Sequence, residues 1–286
     1  MLKNGDLDFT GSNIGDLTDD EDSWPSVQHV SFDGMIYDRI TGAPTDAKMR
    51  LEWLSKGAMW DEEFAPHPYT QLSKVLRNMG HDKDSRAIML ERDRLLGQAN
   101  RSRLRVKPNG DIMVAIASIL FDLYRYYLFC MDTLFRWVAG YGHRPFLSLT
   151  WLIVLWSIAV FLSHKTWEAG DFAPGSAVLQ SSYEWQTLAK HDDINPAKEW
   201  SIRKSLPDGT KTYVAGQDWS TFSSFAYAAD LVIPIINLGQ TDTWGPSTER
   251  GEWGKRLWRY GFMLQVAGWI VTALGAAAIT GLIRRD

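Results

Sequence analysis

Tyr260–Ile283 reads YGFMLQVAGWIVTALGAAAITGLI, 24 residues without a charge, with Lys255, Arg256 and Arg259 before it and Arg284 and Arg285 after it. An apolar run longer than about 18 residues predicts a transmembrane helix, because about 20 helical residues cross the hydrocarbon. Pro145–Ser163, PFLSLTWLIVLWSIAVFLS, is a second uncharged run, of 19 residues. Pro145 suits a helix start, where its missing N–H would have no partner in any case. Trp favours the membrane–water boundary, so Trp167, Trp219 and Trp244, with Arg284 and Arg285, are expected as interface anchors. The fold class that follows is a mainly α membrane protein with two spans.

The rest of the composition narrows the choice. A net charge of −4 over 286 residues gives no electrostatic reason for nucleic-acid binding. A single cysteine, Cys130, excludes an intrachain disulfide framework. The opening MLKNGDLDFTGSNIGDL has no apolar core region, so no signal peptide is expected. Basic residues flank the spans at Arg101, Arg103, Arg105, Lys107, Arg125, Arg136 and Arg144, and again at Arg284 and Arg285. The positive-inside rule then predicts both termini in the cytoplasm and residues 164–259 outside. Lys255, Arg256 and Arg259 point the other way, but that loop is longer than about 60 residues, where the rule weakens.

Residues 1–42 alternate in short apolar pieces (Leu7 and Phe9; Val27, Val30 and Phe32; Ile36) between Gly11, Gly15, Pro25 and Gly34. These predict short strands and tight turns, which bury too little alone, as in the end of a β-solenoid. The run Asp19-Asp20-Glu21-Asp22 is a solvated loop or a cation site. Residues 43–110 change period and predict helices over 49–56, over 66–79 and from Asp84 or Ser85 onward, with Leu72, Val75 and Leu76 on one face of the second. Gly80 ends the second helix. This is a cytoplasmic helical hairpin of tetratricopeptide shape, either a peptide groove or a packing module. Residues 111–144 are apolar, but Asp122, Arg125, Asp132 and Arg136 fall within one sector of a helix. An amphipathic helix lying in the interface is expected; a third span is the rival, at the cost of four charges in hydrocarbon. Residues 164–218 read as an irregular exposed loop.

Residues 219–246, WSTFSSFAYAADLVIPIINLGQTDTWGP, mix polar and apolar residues between the two spans. Pro234 ends or kinks a helix there, and Asn237, Gly239, Gln240 and Asp242 follow. A short helix and polar loop between spans has the layout of a channel pore segment, where loop carbonyls replace ion hydration. In the last span Gly268, Ala273, Gly275, Ala277 and Gly281 are small, and 273, 277 and 281 have the spacing that lets helix backbones approach. No catalytic, cofactor or metal motif is present: no GxGxxG, no CxxC, no GxSxG, and scattered His.

Several stretches together resemble a known module: SFDGMIYDRI, HPYTQLSKVLRNMGHDKDSRAIMLERD, GYGHRP, DLVIPIINLGQ and TGLIRRD. The chain is similar, from about Leu7 to Asp286, to the C-terminal membrane module of bacterial pentapeptide-repeat or β-solenoid membrane proteins. The resemblance implies an inner-membrane protein with a solenoid end on its cytoplasmic side, and it carries no established chemistry. Some relatives bear an oxidoreductase label, which no motif here supports. The reading is therefore a non-catalytic anchoring and interaction protein. Its partners are the lipid bilayer and a cytoplasmic protein or second copy at the N-terminal β edge. The alternative is an oligomeric pore lined by 235–242.

Overall fold

The computed structural model describes residues 7–20, 30–42, 44–55, 59–60, 63–105, 112–191, 194–201, 216 and 218–280. They fall into two compact units, divided between Arg144 and Pro145.

The first unit opens with β1 (Leu7–Asp8), β2 (Asn13–Thr18), β3 (Val30–Ser31) and β4 (Ile36–Thr41). β1 pairs with β3 and β2 with β4, both parallel, and Leu7↔Val30 and Asn13↔Ile36 share one offset of 23 residues. The same offset stacks Phe9 on Phe32 with rings 6.4 Å apart and 5° from parallel. It relates the left-handed turn glycines Gly11 and Gly34 and joins the Thr18 and Thr41 hydroxyls at 2.8 Å. The chain thus lays a second pass on a first in register. The two passes differ in cover: Val30, Phe32, Tyr37 and Ile40 are buried, whereas Leu7, Phe9 and Ile14 stay partly open. A solenoid end was expected from the turns; the described residues hold two parallel pairs and no closed sheet or solenoid.

Helices cover the second pass. They are α1 (Ala47–Ser55), α2 (His67–Asn78) and α3 (Asp82–Arg103), with a small hairpin of β5 (Met59–Trp60) and β6 (Glu63–Phe64) between α1 and α2. The Asp46 carboxylate caps α1 by accepting from the N–H groups of Lys48 and Met49. Leu72, Val75 and Leu76 of α2 enter one core with Phe32, Tyr37 and Ile40, and the Gln71 amide donates to the Tyr37 carbonyl. The face that could have been a peptide groove is filled by the strands. Asp19, part of the acidic run, is buried and takes two hydrogen bonds from the Arg50 guanidinium, at 2.6 and 2.9 Å. Glu21 and Asp22 lie outside the described residues.

The unit ends with α4 (Ile112–Ala139) and a turn, Gly140–Gly142, in which three successive residues have positive φ. The second half of α3 runs antiparallel beside α4. His143 meets Asp93 at 3.0 Å, Gly97 faces Asp132, and Arg101 pairs with Asp132 at 2.9 Å.

The second unit contains α5 (Phe146–Glu168), β7 (Phe172–Pro174), α6 (Ala177–Gln180), α7 (Tyr183–Ala189) and α8 (Pro196–Ser201). It continues with α9 (Ser224–Val232), α10 (Gln240–Thr243), β8 (Trp244–Pro246) and α11 (Glu252–Ile279). α5 and α11 are antiparallel: the Thr166 hydroxyl donates to the Trp253 carbonyl near one end, and Gly275 lies on Ser148 near the other. The buried positions of α11 are Gly254, Leu257, Gly261, Leu264, Gly268, Val271, Gly275 and Ala278. That is a heptad seam with glycine at every first position. Such a seam lets two helices pack along their length with close backbones.

Among the described residues three helices are long and apolar enough to cross a membrane: Met113–Gly142, Phe146–Glu168 and Glu252–Ile279. The sequence reading expected two and gave the first an interfacial place.

The Arg50–Asp19 pair yields a prediction. Removing one partner of a buried ion pair costs about 3–5 kcal/mol, because the other charge stays buried. Arg50→Met is therefore expected to lower the melting temperature of the purified protein markedly. Adding Asp19→Asn to it should restore part of the loss. Equal melting of wild type and Arg50→Met would show that the pair does not hold α1 on the strands.

Candidate functional site

Segment 219–246 joins the short helices that follow α5 to α11 and carries the polar residues singled out from the sequence. Its N-terminal end sits in an aromatic core beyond the α5 terminus. Trp167 stacks on Phe222 with centroids 4.4 Å apart and meets Trp244 edge-on at 5.2 Å; Trp185, Trp200, Phe172 and Tyr227 complete the cluster. This corrects two expectations. Residues 164–218 supply packed short helices, not only an irregular loop. Trp244 is fully buried and so faces no interface; Trp167 and Trp219, half-buried, pack against the same core. Arg284 and Arg285 lie outside the described residues.

β7 and β8, an antiparallel pair, join the chain just after α5 to the chain just before α11. Asp171, buried beside them, accepts from the Gly254 N–H at 2.9 Å and so fixes the first turn of α11. The Arg250 guanidinium donates to the carbonyls of Gly170 and Phe172 and lies over the Trp185 ring. Burial pulls its pKa below the ordinary arginine value, opposed by the charge of Asp171.

From this core α9 descends between α5 and α11. The Ser163 hydroxyl donates to the Ser224 carbonyl at 3.3 Å, and the Trp156 indole donates to the Phe225 carbonyl at 3.2 Å. Ala159, Ala228, Val232 and Leu264 form one buried cluster. At the lower end, Val232 rests on Gly268, where a Cβ would overlap its carbonyl oxygen. At 1.5 Å per residue, Gly268 lies about 24 Å along α11 from Glu252. The chain turns at Ile233–Ile236, with Ile235 83% exposed, and climbs back to Gln240. Segment 223–243 is a hairpin lying along the middle of both helices.

The nominated polar residues are largely engaged in this hairpin. Gln240 is buried: its carbonyl accepts from the Ser223 N–H, and its amide donates to Ser220 and to the Thr221 carbonyl. The Asn237 side chain accepts from the Gly239 N–H, and Gly239 is left-handed at φ 74. Asp242 is exposed. A residue the sequence reading passed over, Asp230, holds the hairpin closed: its carboxylate accepts from the N–H groups of Leu238, Gln240 and Thr241. Among the small residues, Gly268 and Gly275 are in the packed seam, Ala277 is half-buried and Ala273 exposed; Gly281 lies outside the described residues.

Among the described residues no group of three His, Cys, Asp or Glu could hold a metal ion. No family model, curated protein or solved structure matches the chain.

Gly268→Ala is predicted to push α9 off α11. Overpacking of this kind costs about 1–3 kcal/mol. Hydrogen exchange should accelerate in 224–239 while the amides of 146–155 keep their protection. Unchanged exchange across 224–239 would show that the contact is dispensable.

Proposed function

We propose that the chain is a non-catalytic anchoring and interaction protein of a bacterial inner membrane. Its membrane unit would fix a strand-and-helix unit at the cytoplasmic face, in keeping with the resemblance to β-solenoid membrane modules. The observation that carries this reading is the unequal cover of the two strand passes. The second pass is buried by the first above it and by the helices, whereas Leu7, Phe9 and Ile14 of the first stay partly open. A β edge with half-covered apolar side chains is a template for another strand, supplied by a cytoplasmic protein or a second copy.

In this reading α5 and α11 cross the bilayer and α4 lies in the headgroup layer. The polar end of α3, with Arg103 and Arg105 exposed, runs beside the second half of α4. Sinking that half into hydrocarbon would take these arginines with it, at a cost of several kcal/mol.

A photo-crosslinker at Thr10 is expected to trap an adduct in cells, and Phe9→Asp to abolish it; absence of any adduct at this edge would remove the reading. Orientation has a separate test. In a Cys130→Ser background, cysteine at Gln186 should react with an impermeant thiol reagent in intact cells and cysteine at Ser102 should not. The reverse pattern would invert the topology.

One observation favours a second reading, an oligomeric pore: the 223–243 hairpin lies deep beside two apolar helices. Its test is conductance of purified protein in planar bilayers, where the anchoring reading predicts none. Single-channel currents whose cation preference changes in Asp242→Asn would replace the anchor by the pore.

A further inference from the structure

Between the C-terminal end of α3 and the middle of α4 lies an open cleft of about 630 Å³, lined by Arg101, Arg105, Asp122, Arg125, Tyr126 and Phe129. Three guanidinium groups line it, against two carboxylates, Asp122 in the lining and Asp132 on Arg101. Arg101 is held by Asp132 at 2.9 Å and lies over the Phe129 ring, 5.6 Å from its centroid. Arg125 reaches Asp122 at 3.3 Å, in a pair that is open to solvent and therefore weak. Arg105 is exposed and makes no ion pair with any described residue. The cleft thus keeps a positive excess with donors left over. Its rim continues directly into apolar surface: Ile116, Ile119, Leu120, Leu123 and Tyr127 of α4 are all exposed.

We propose that this cleft binds the phosphodiester headgroup of an anionic phospholipid, with its acyl chains along the exposed apolar face of α4. The chemistry requires both halves. Arginine presents a planar fork of donors that matches two phosphate oxygens, and basic pockets beside apolar helices are suited to lipid headgroups. A free phosphate would use the arginines and leave the apolar rim unoccupied; a neutral zwitterionic lipid would use the rim and bring its own cation to the arginines. Tyr126 and Phe129, at the boundary of charge and apolar surface, sit where aromatic side chains favour the interface. The inference rests on the interfacial placement of α4 proposed above, and Cys130, exposed on the same helix, tests that placement separately.

The experiment uses the full chain in detergent micelles, with native mass spectrometry as the readout. Phosphatidylglycerol is expected to stay bound at least about tenfold better than phosphatidylcholine, and Arg105→Glu and Arg125→Glu each to remove most of that preference. Arg105→Lys, which keeps the charge but not the fork, should retain part of it. A melting temperature equal to wild type certifies that each variant is folded. Equal retention of the two lipids by wild type, or undiminished preference in both charge reversals, would overturn the site. So would displacement of the lipid by inorganic phosphate at millimolar concentration, which would make the soluble anion the ligand. A spin label on Cys130 in phosphatidylglycerol vesicles should report headgroup depth. A label at the bilayer centre would overturn the placement of α4 and the lipid site together. A label at headgroup depth with no lipid preference would overturn the site alone.

Discussion

At Gly268 two backbones meet with no side chain between them, and the membrane unit is arranged around that contact. A methyl group there would overlap the Val232 carbonyl oxygen. The same requirement recurs at Gly254, against the Ser247 carbonyl, and at Gly275, on Ser148, whereas Gly261 meets the Leu231 side chain only at an ordinary contact distance of 3.8 Å. Glycine in a helix interior costs roughly 0.5–1 kcal/mol relative to alanine. Four at one heptad position are offset only if close packing returns more. In hydrocarbon the hydrophobic effect does not drive helices together, so packing and hydrogen bonds must supply that return. Both are present here, since α9 is wedged on the seam and tied to α5 by Trp156 and Ser163.

The N-terminal unit solves a different problem. Parallel strands of two to six residues cannot stand alone, and the order of cover shows how these do. The second pass takes its upper surface from the first and its lower surface from α1, α2 and α3, in one core reaching Ile88. Among the described residues the first pass pairs with the second alone. Asp19, just past the end of β2, is matched by Arg50 on α1, so the strand layer and the helix layer are joined by charge as well as by apolar contact. The pair is costly to desolvate, but its two parallel bonds fix the position of α1.

How far the sequence revealed this depends on the scale of the pattern. The spans were legible because an uncharged run needs no context, and the α2–α3 hairpin because Leu72, Val75 and Leu76 keep helical period up to Gly80. The 23-residue register between strand passes was harder to see. Only Phe9 with Phe32, Gly11 with Gly34 and Thr18 with Thr41 repeat as identical residues, too few to stand out from turn signals. The glycine heptad at 254, 261, 268 and 275 was in plain view but was masked by the denser small residues at 273, 277 and 281. Spacing alone does not say which face is occupied. The tryptophans misled for a physical reason: the ring that favours an interface also favours a core once enough of them cluster, as Trp167, Trp200 and Trp244 do.

The polar residues of segment 219–246 gain a consistent meaning from the backbone they serve. A hairpin lying against apolar helices must satisfy its own N–H and C=O groups, since lipid offers no partners. Asp230 takes three N–H groups of the returning segment, and Gln240 takes the Ser223 N–H while giving to the Thr221 carbonyl. Asn237 closes the turn onto Gly239. Trp156 and Ser163 supply donors from the neighbouring helix. What remains at the tip, Ile233 to Ile236, carries no polar side chain. The carboxylate of Asp230 and the side-chain carbonyls of Asn237 and Gln240 are turned onto the hairpin itself, and Asp242 is exposed. The arrangement is that of a segment whose backbone is satisfied by its own side chains and by the helix beside it.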